Sequence, residues 1–254
     1  MTIVTYQKDG AVGIVTLSKP PHNLIDDALL NGLLESYRTA VDEGCRAILL
    51  RSAMRHFCAG ADTNGLGVGD RKRSQESFES IMDALENVPV PTVAAVHGAA
   101  LGGGVELALT CDMIIAADTA KFGMAEASLG LLPLLGGVQR MVQRVGPARA
   151  KELAMFARRH EPAALERWGA INLVTSEDDL TAASLSWARQ LAAGPTVALN
   201  GIKRLANLSA RHGIAAADLA QTEVNNTMWA SQDPKRGLAA LTATGPGTAI
   251  FEGN

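Results

Sequence analysis

Three consecutive glycines and a nearby glutamate form the most distinctive motif of this 254-residue chain, Leu101-Gly102-Gly103-Gly104-Val105-Glu106. Glycine permits positive φ angles and lets a ligand approach the backbone closely. The first N–H groups of a helix lack internal partners, so a helix that begins here would favour an anion or an oxygen that becomes anionic during a reaction. A structural tight turn is the alternative interpretation.

A second glycine-containing loop lies at residues 59–62 and follows an apolar run at residues 47–50. That run predicts a buried strand, and residues 92–96 predict another strand just before the glycine triplet. Loops that follow two adjacent strands could each supply one N–H donor to a common oxygen, as an oxyanion hole requires. The alternative for the second loop is an ordinary connection between elements.

Two glutamates stand in unusually apolar surroundings. Glu106 lies within residues 99–109, and Glu126 lies among small and apolar side chains at residues 122–127. Each carboxylate alone is compatible with an ordinary helix N-terminal group or a salt-bridge partner. Together they fit a general acid/base pair whose pKa values are separated by burial and mutual repulsion.

The elements that would position these groups alternate between strands and helices. A hairpin is predicted at the start, and Asp26 and Asp27 precede a helical apolar pattern. The glycine-rich stretch is predicted as one turn that leads into a helix at Val105, and Gly146-Pro147 is predicted to end a later helix. The remaining predictions are strands at residues 3–7, 12–17, 47–50, 92–96 and 113–117, and helices over residues 78–85 and 138–145.

Two strand–turn–helix units predict an α/β fold of repeated β-β-α modules with mostly parallel strands. From Pro195 onward the strand signals disappear and helical patterns remain. We therefore divide the chain into a core that holds the site, residues 1–194, and a helical region, residues 195–254, that packs on a neighbour within or between chains.

Composition excludes several classes of protein. Lys and Arg number 23 against 26 Asp and Glu, a net charge of −3, which disfavours binding to nucleic acid or to an anionic membrane. The first residues do not resemble a signal peptide, and polar residues interrupt the most apolar region, residues 94–117. A cytoplasmic location follows as the simplest expectation. The three cysteines and five histidines lack the spacing of metal ligands, so we predict no metal site; Cys58 is expected to pack as a small buried hydrophobe.

The sequence resembles the crotonase superfamily, the enoyl-CoA hydratase/isomerase family. The matching motifs occur in the same order as in the family, from about residue 3 to about residue 240. The resemblance implies a crotonase-like spiral of repeated β-β-α units with a helical C-terminal region that forms a homotrimer or homohexamer. The matching motifs are Phe57-Cys58-Ala59-Gly60-Ala61-Asp62, Pro91 to Gly98, Ala100 to Ala108, Cys111-Asp112, Phe122-Gly123, Glu126, Leu129-Gly130, Pro133, Gly136 to Arg140 and Asp233 to Gly237.

The resemblance also implies roles for individual residues. The backbone amides of Ala61 and Gly103 would form the oxyanion hole for a thioester carbonyl. Glu106 and Glu126 occupy both catalytic glutamate positions, which favours hydration of trans-2-enoyl-CoA. CoA would be part of the acyl-CoA substrate, and no metal or other cofactor is implied. The residues expected to contact substrate or CoA are Ala59, Ala61, Asp62, Thr63, Asn64 and Gly103.

Other activities remain compatible with this sequence. Double-bond isomerisation or hydrolysis of an acyl-CoA is the nearest alternative, and a non-catalytic acyl-CoA-binding protein is another. Leu134-Leu135 replace the small residues that are common in the family, which suggests a differently shaped acyl pocket. The basic run Arg71-Lys72-Arg73 is either a solvated cluster or a contact for the CoA phosphates.

Overall fold

The computed structural model describes the backbone of residues 2–62 and 71–254, and the side chains of these residues except 71–77. Within these ranges the chain forms eight strands and nine α-helices. The strands are β1 Val4–Asp9, β2 Val12–Leu17, β3 Ala47–Ser52, β4 Thr92–Val96, β5 Ala99–Leu101, β6 Met113–Ala117, β7 Lys121–Gly123 and β8 Leu173–Thr175. The helices are α1 Asp27–Asp42, α2 Arg71–Glu86, α3 Gly103–Ala108, α4 Gly137–Phe156, α5 Pro162–Trp168, α6 Leu180–Ala192, α7 Thr196–His212, α8 Ile214–Ala230 and α9 Asp233–Ala243.

The main sheet has six strands in the order β1-β2-β3-β4-β6-β8. The predicted hairpin of β1 and β2 is antiparallel, and every other neighbouring pair in this sheet is parallel. Leu50 of β3 lies opposite Val15 of β2 and Ala94 of β4. The central strands are buried, which explains why they read as continuous apolar runs rather than as alternating patterns.

A second, two-stranded parallel sheet pairs β5 with β7. Its first strand lies inside the glycine-rich stretch that the sequence predicted as a single turn. That prediction was wrong because Ala99, Ala100 and Leu101 are too few to show a period, while Gly98 and Gly102, both with positive φ, produce the turns on either side. The small sheet brings β7, and the residues that follow it, next to the start of α3.

Helix α1 begins where the acidic residues predicted. The side chain of Asp26 accepts a hydrogen bond from the amide of Leu29 at 2.9 Å and so caps the first turn. The buried side chains of Leu30, Leu33 and Tyr37 then face the core. Helix α1 packs on β1 and β2, while α6 packs against β3, β4 and β6.

Helix α4 continues beyond its predicted end. The backbone leaves the helical conformation at Gly146, with φ 75° and ψ 168°, as the Gly146-Pro147 signal indicated. A second helical stretch resumes at once, because proline is well suited to the first position of a helix, where its missing N–H has no partner to lose. The sequence therefore located a break rather than a terminus.

The helices after residue 195 are attached to the core by two cations, of which Lys203 is buried and Arg46 partly buried. Lys203 of α7 forms an ion pair with Asp112 at 2.9 Å and donates to the carbonyl of Val90. Arg46, just before β3, donates to the carbonyl oxygens of Gly194 and Phe251 and to the hydroxyl of Thr196. The helical tail thus packs on its own core, one of the two arrangements expected from the sequence.

The C-terminal helices also carry exposed apolar side chains, a feature common at sites of association between chains. None of the helices in the described ranges has the length and apolarity that crossing a bilayer requires. The large exposed apolar residues of this region are Ile202, Ile214, Leu219, Trp229, Leu238, Leu241 and Ile250.

Candidate active site

The loop that follows β3 is fixed by backbone hydrogen bonds on both of its sides. On one side the amide of Leu101 donates to the carbonyl of Cys58 at 3.0 Å. On the other side the amide of Asp62 donates to the carbonyl of Ile25 at 2.8 Å. These bonds surround Ala61 and hold its backbone in one place.

The first residue of α3 lies beside this loop. A β-carbon built on Gly103 would be 3.5 Å from the amide nitrogen of Ala61. Neither of these two amides donates a hydrogen bond to an acceptor in the described part of the chain. The loop after β3 and the turn after β5 therefore place two N–H groups without acceptors among the described residues on neighbouring backbones.

The three glycines of the triplet differ in what they permit. Gly102 alone among them has a positive φ, at 50°. A β-carbon on Gly104 would overlap the carbonyl oxygen of Cys58, so the absence of a side chain allows α3 to approach the loop. Helix α3 starts at Gly103 rather than at Val105, two residues earlier than the sequence predicted.

Glu106 lies in the first turn of α3 and is only 2% exposed. Its Oε1 accepts hydrogen bonds from the amides of Leu135 and Gly137, both at 2.8 Å. Gly137 is the first residue of α4, so the carboxylate of Glu106 satisfies an otherwise unpaired N–H group at that helix start.

The environment of Glu106 favours its protonated form more than water does. The pKa of this carboxyl is raised to about 7, chiefly by burial and also by the negative charge of Glu126. The amides of Gly137 and Leu135 and the charge of Arg140 act in the opposite direction, because they stabilise the ionised form. A pKa near 7 suits a group that exchanges protons at neutral pH.

Glu126 reaches the same place from a different element. It begins a 3₁₀ turn, Glu126–Leu129, soon after β7. The amide of Gly102 donates to the carbonyl of Gly123 at 2.7 Å, which ties the end of β7 to the start of α3. A β-carbon on Gly102 would be 2.6 Å from Oε1 of Glu126, so the carboxylate lies against the glycine turn.

One oxygen of Glu126 is unpaired within the described part of the chain. Its Oε2 is buried and has no hydrogen-bond partner among the described residues. Burial raises the pKa of this carboxyl as well. Buried polar groups are nearly always paired, so an unpaired carboxylate oxygen beside a second glutamate indicates a position for water or substrate.

The structure brings most of the predicted site residues together. Glu106, Glu126, Ala61 and Gly103 meet around the start of α3, and Ala59 and Asp62 lie in the loop that holds Ala61. Two other sets lie outside the described residues, namely Thr63 and Asn64, and the side chains of Arg71, Lys72 and Arg73 at the start of α2.

Asn23 is a positioning residue that sequence reasoning missed. It is fully buried, with φ 53°, and its Nδ2 donates to the carbonyl of Phe57 at 2.9 Å and to the hydroxyl of Ser52 at 2.8 Å. Asparagine tolerates this left-handed conformation better than most residues. The prolines mark the turn at residues 19–23 in the sequence, but nothing in the sequence indicates that Asn23 bonds to Ser52 and Phe57.

The backbone amides that hold Glu106 were also missed, as was the side chain of Arg140 next to them. Their partners lie about thirty residues away in sequence, and backbone amides carry no mark of residue type. Cys58 is fully buried, as expected, and donates its thiol to the carbonyl of Asn23. Within the side chains that the structure describes, no three His, Cys, Asp or Glu residues are grouped as metal ligands would be.

Comparison with known proteins finds relatives that match most of the chain. A probable enoyl-CoA hydratase of Mycobacterium bovis is 33% identical over 242 residues, which is 94% of each chain. A probable enoyl-CoA hydratase of Rhizobium meliloti is 33% identical over 240 residues, 93% of each chain.

Solved structures match over nearly the whole length. An enoyl-CoA hydratase subunit from Geobacillus kaustophilus superposes with a TM-score of 0.92 at 32% identity, covering 99% of this chain and 98% of the other. The enoyl-CoA hydratase of Bacillus anthracis gives a TM-score of 0.90 at 26% identity, covering 99% of this chain and all of the other. The fold is therefore crotonase-like, with a helical C-terminal region. The profile of the enoyl-CoA hydratase/isomerase family matches residues 7–246, and the chain belongs to that family.

Proposed function

We propose that the protein is an enoyl-CoA hydratase that adds water across the 2,3 double bond of trans-2-enoyl-CoA thioesters. The pairing of Glu106 with Glu126 beside Gly102 carries this proposal. Hydration needs one group to take a proton from water and another to deliver a proton to carbon, which is work for two carboxyl groups. The names of the relatives support the same substrate class.

The amides of Ala61 and Gly103 hold the thioester oxygen in this mechanism. Attack of water on the double bond moves electron density onto that oxygen and gives an enolate-like transition state. Hydrogen bonds to the oxygen strengthen as the charge develops, so they lower the barrier rather than merely binding the substrate. The proximity of these two N–H groups and their lack of another acceptor support this assignment.

Glu106 and Glu126 together hold the water molecule. One carboxylate takes a proton from water as its oxygen bonds to C3, and a carboxyl group gives a proton to C2. The balance is one water added and no change in the number of protons on the enzyme after a full turnover. Because the two groups interact, they titrate as a unit and share these roles.

CoA stays attached through the thioester in both substrate and product and is held by the loop after β3, and the reaction requires no metal or redox cofactor. We assign the loop contacts to Ala59, Asp62, Thr63 and Asn64. Leu135 has a buried side chain close to Gly103 and narrows the space beside the reacting carbons. This position supports an acyl pocket of a different shape from that of relatives with a small residue there.

We also infer a cytoplasmic homotrimer or homohexamer, with residues 195–254 forming the contacts between subunits. The exposed apolar side chains on α7, α8 and α9 support this assembly, since leaving them in water is unfavourable. Light scattering coupled to gel filtration measures the mass, and a monomer at micromolar concentration would contradict this inference.

The decisive experiment follows loss of the conjugated enoyl thioester absorbance with trans-2-enoyl-CoA substrates of short and medium chain length. Mass spectrometry of the product identifies the added water. Glu106→Gln and Glu126→Gln should each lower the hydration rate by about 10²–10⁴-fold, the usual contribution of a general acid or base. Glu223→Gln, at an exposed surface pair with Arg204, is the matched control and should retain activity.

Other outcomes identify the alternatives. Migration of the double bond without a gain in mass, persisting in one of the two glutamine variants, would show an isomerase. Release of free CoA would show a thioester hydrolase. Binding of every enoyl-CoA tested without turnover would show an acyl-CoA-binding protein. Each of these results contradicts the hydratase proposal.

A further inference from the structure

The orientation of Glu106 depends on a short backbone segment rather than on other side chains. Both hydrogen bonds to its Oε1 come from amides of residues 135 and 137. This segment joins the 3₁₀ turn to α4, and a shift of about 1 Å in such a support is enough to impair a catalytic group. A group that binds the carbonyl oxygens of this segment therefore also holds the carboxylate of Glu106 in place.

Arg140 contacts that segment directly. Its Nη1 donates to the carbonyl of Leu135 at 3.0 Å and to that of Gly136 at 3.4 Å. Gly136 has φ 85°, and a β-carbon there would overlap Nη1 of Arg140. The guanidinium thus lies on the segment at a position that only glycine leaves open.

Glu86, the last residue of α2, holds the guanidinium of Arg140. Its Oε2 accepts from Nε of Arg140 at 2.8 Å and lies 2.7 Å from Nη2. These side chains are only 11% and 13% exposed, so their pairing is not weakened by solvent as a surface pair would be. Arg211 of α7 donates to the same Oε2 at 2.6 Å and also pairs with Asp83.

We propose that Arg140 and Glu86 are positioning residues for Glu106. They hold the segment at residues 135–137, whose amides orient the carboxylate of Glu106. Arg211 connects this pair to the C-terminal helices. The contact chain runs from α7 through the end of α2 to the start of α4 and ends at α3. The catalytic consequence rests on the proposed hydratase function, whereas the orientation of Glu106 does not.

The charge of Arg140 also affects the proton affinity of Glu106. Burial and Glu126 raise its pKa, and Arg140 opposes them because a nearby cation stabilises the carboxylate. Replacing Arg140 by a neutral residue should therefore raise the pKa of Glu106. A purely structural role for Arg140 predicts a loss of stability without this change.

The test compares Arg140→Gln, Arg140→Lys and Glu86→Gln with the wild type in the full-length protein. Arg204→Gln, which removes an exposed ion pair between α7 and α8, is the matched control. We expect Arg140→Gln to lower kcat about 10–100-fold while KM changes less than about threefold, because the carboxylate rather than the binding loop is displaced. The pH midpoint assigned to Glu106 should move upward.

Arg140→Lys separates charge from geometry. Lysine keeps the positive charge but lacks the planar fork that reaches Glu86 and Leu135 together. We expect its pH midpoint to stay close to that of the wild type, while kcat recovers only in part. Glu86→Gln keeps the cation, so it should lower kcat less than Arg140→Gln without raising the pH midpoint, and its kcat replaces that of Arg140→Gln if that variant does not fold.

A direct titration keeps this inference separate from the proposed function. In protein labelled with ¹³C at glutamate carboxyls, the resonance lost in Glu106→Gln identifies Glu106, and its midpoint is followed in each variant. A shift in Arg140→Gln supports the inference even if no enoyl-CoA is hydrated, in which case only the proposed function fails. Folded Arg140→Gln with an unchanged midpoint and unchanged kcat would overturn the inference, as would a loss of kcat equal to that of Arg204→Gln.

Discussion

Glu126 lies directly on Gly102: a β-carbon at the glycine would be 2.6 Å from Oε1 of the glutamate. The second carboxylate of the site therefore occupies space that any other residue type at position 102 would fill. Gly102 also needs its positive φ of 50°, which side-chain-bearing residues adopt with strain. The same residue thus satisfies a backbone requirement and a requirement of the site.

Gly102→Ala should displace the carboxylate of Glu126. We expect kcat for hydration to fall about 10²-fold, since a shift of about 1 Å in a catalytic group has effects of this size. Gly10→Ala is the control, because Gly10 has a similar φ of 59° and nothing within 4 Å of a built β-carbon. The Gly10→Ala variant should carry the same backbone strain as Gly102→Ala, about 1 kcal/mol, and keep its activity. Equal activity in the two variants would contradict the contact with Glu126.

The raised pKa of Glu106 makes folding stability depend on pH. Between the ordinary value of 4.5 and the folded value of about 7, the folded protein keeps a proton that the unfolded chain releases. The free energy of unfolding therefore falls as pH rises through this range, by at most about 1.4 kcal/mol per pH unit from this group. The decline levels off above the folded pKa.

Glu106→Gln should remove this contribution. Urea denaturation of the wild type and the variant from pH 4.5 to 8 measures the difference between their unfolding free energies. We expect the variant to gain stability relative to the wild type as pH rises, because glutamine accepts the same amide hydrogen bonds without carrying a buried charge. A constant difference across this range would show that the carboxyl titrates with an ordinary pKa in the fold.

The buried ion pair of Lys203 and Asp112 anchors α7 to the core. Lys203→Met should destabilise the protein by about 3 kcal/mol, because it leaves the largely buried carboxylate of Asp112 without its cation. The control is Lys235→Met, since the exposed ammonium of Lys235 donates only weakly, to Gln232 at 3.2 Å. Chemical denaturation measures both variants, and similar losses would contradict the anchoring role.

Long apolar runs and acidic helix starts made the main sheet and α1 predictable from sequence. Strands β3, β4 and β6 are buried, so their composition alone identifies them. Helix α6 gives a weaker signal because, after Leu180 at its start, its buried residues are small, namely Ser184, Ala188 and Ala192. Strand β8 has only three residues, too few to show a pattern.

The site was predictable to the extent that residue type marks it. Glu106 and Glu126 are recognisable because carboxylates are unusual in apolar segments, and the glycine triplet marks the start of α3. The pKa of Glu106 instead depends on amides at Leu135 and Gly137, whose approach is set by packing between α3 and α4. Such distances arise from the tertiary fold and cannot be deduced from local patterns.

Arg46 joins two points of the chain that are more than fifty residues apart, at Gly194 and Phe251. The residues just before α7 and the segment after α9 therefore bind the same guanidinium. The region of α7, α8 and α9 is thus held at both of its ends by one side chain of the core. Loss of the hydrogen bond at either point should weaken the one at the other, since both depend on the orientation of the Arg46 side chain. The sixty residues should accordingly detach as one cooperative unit rather than fray helix by helix.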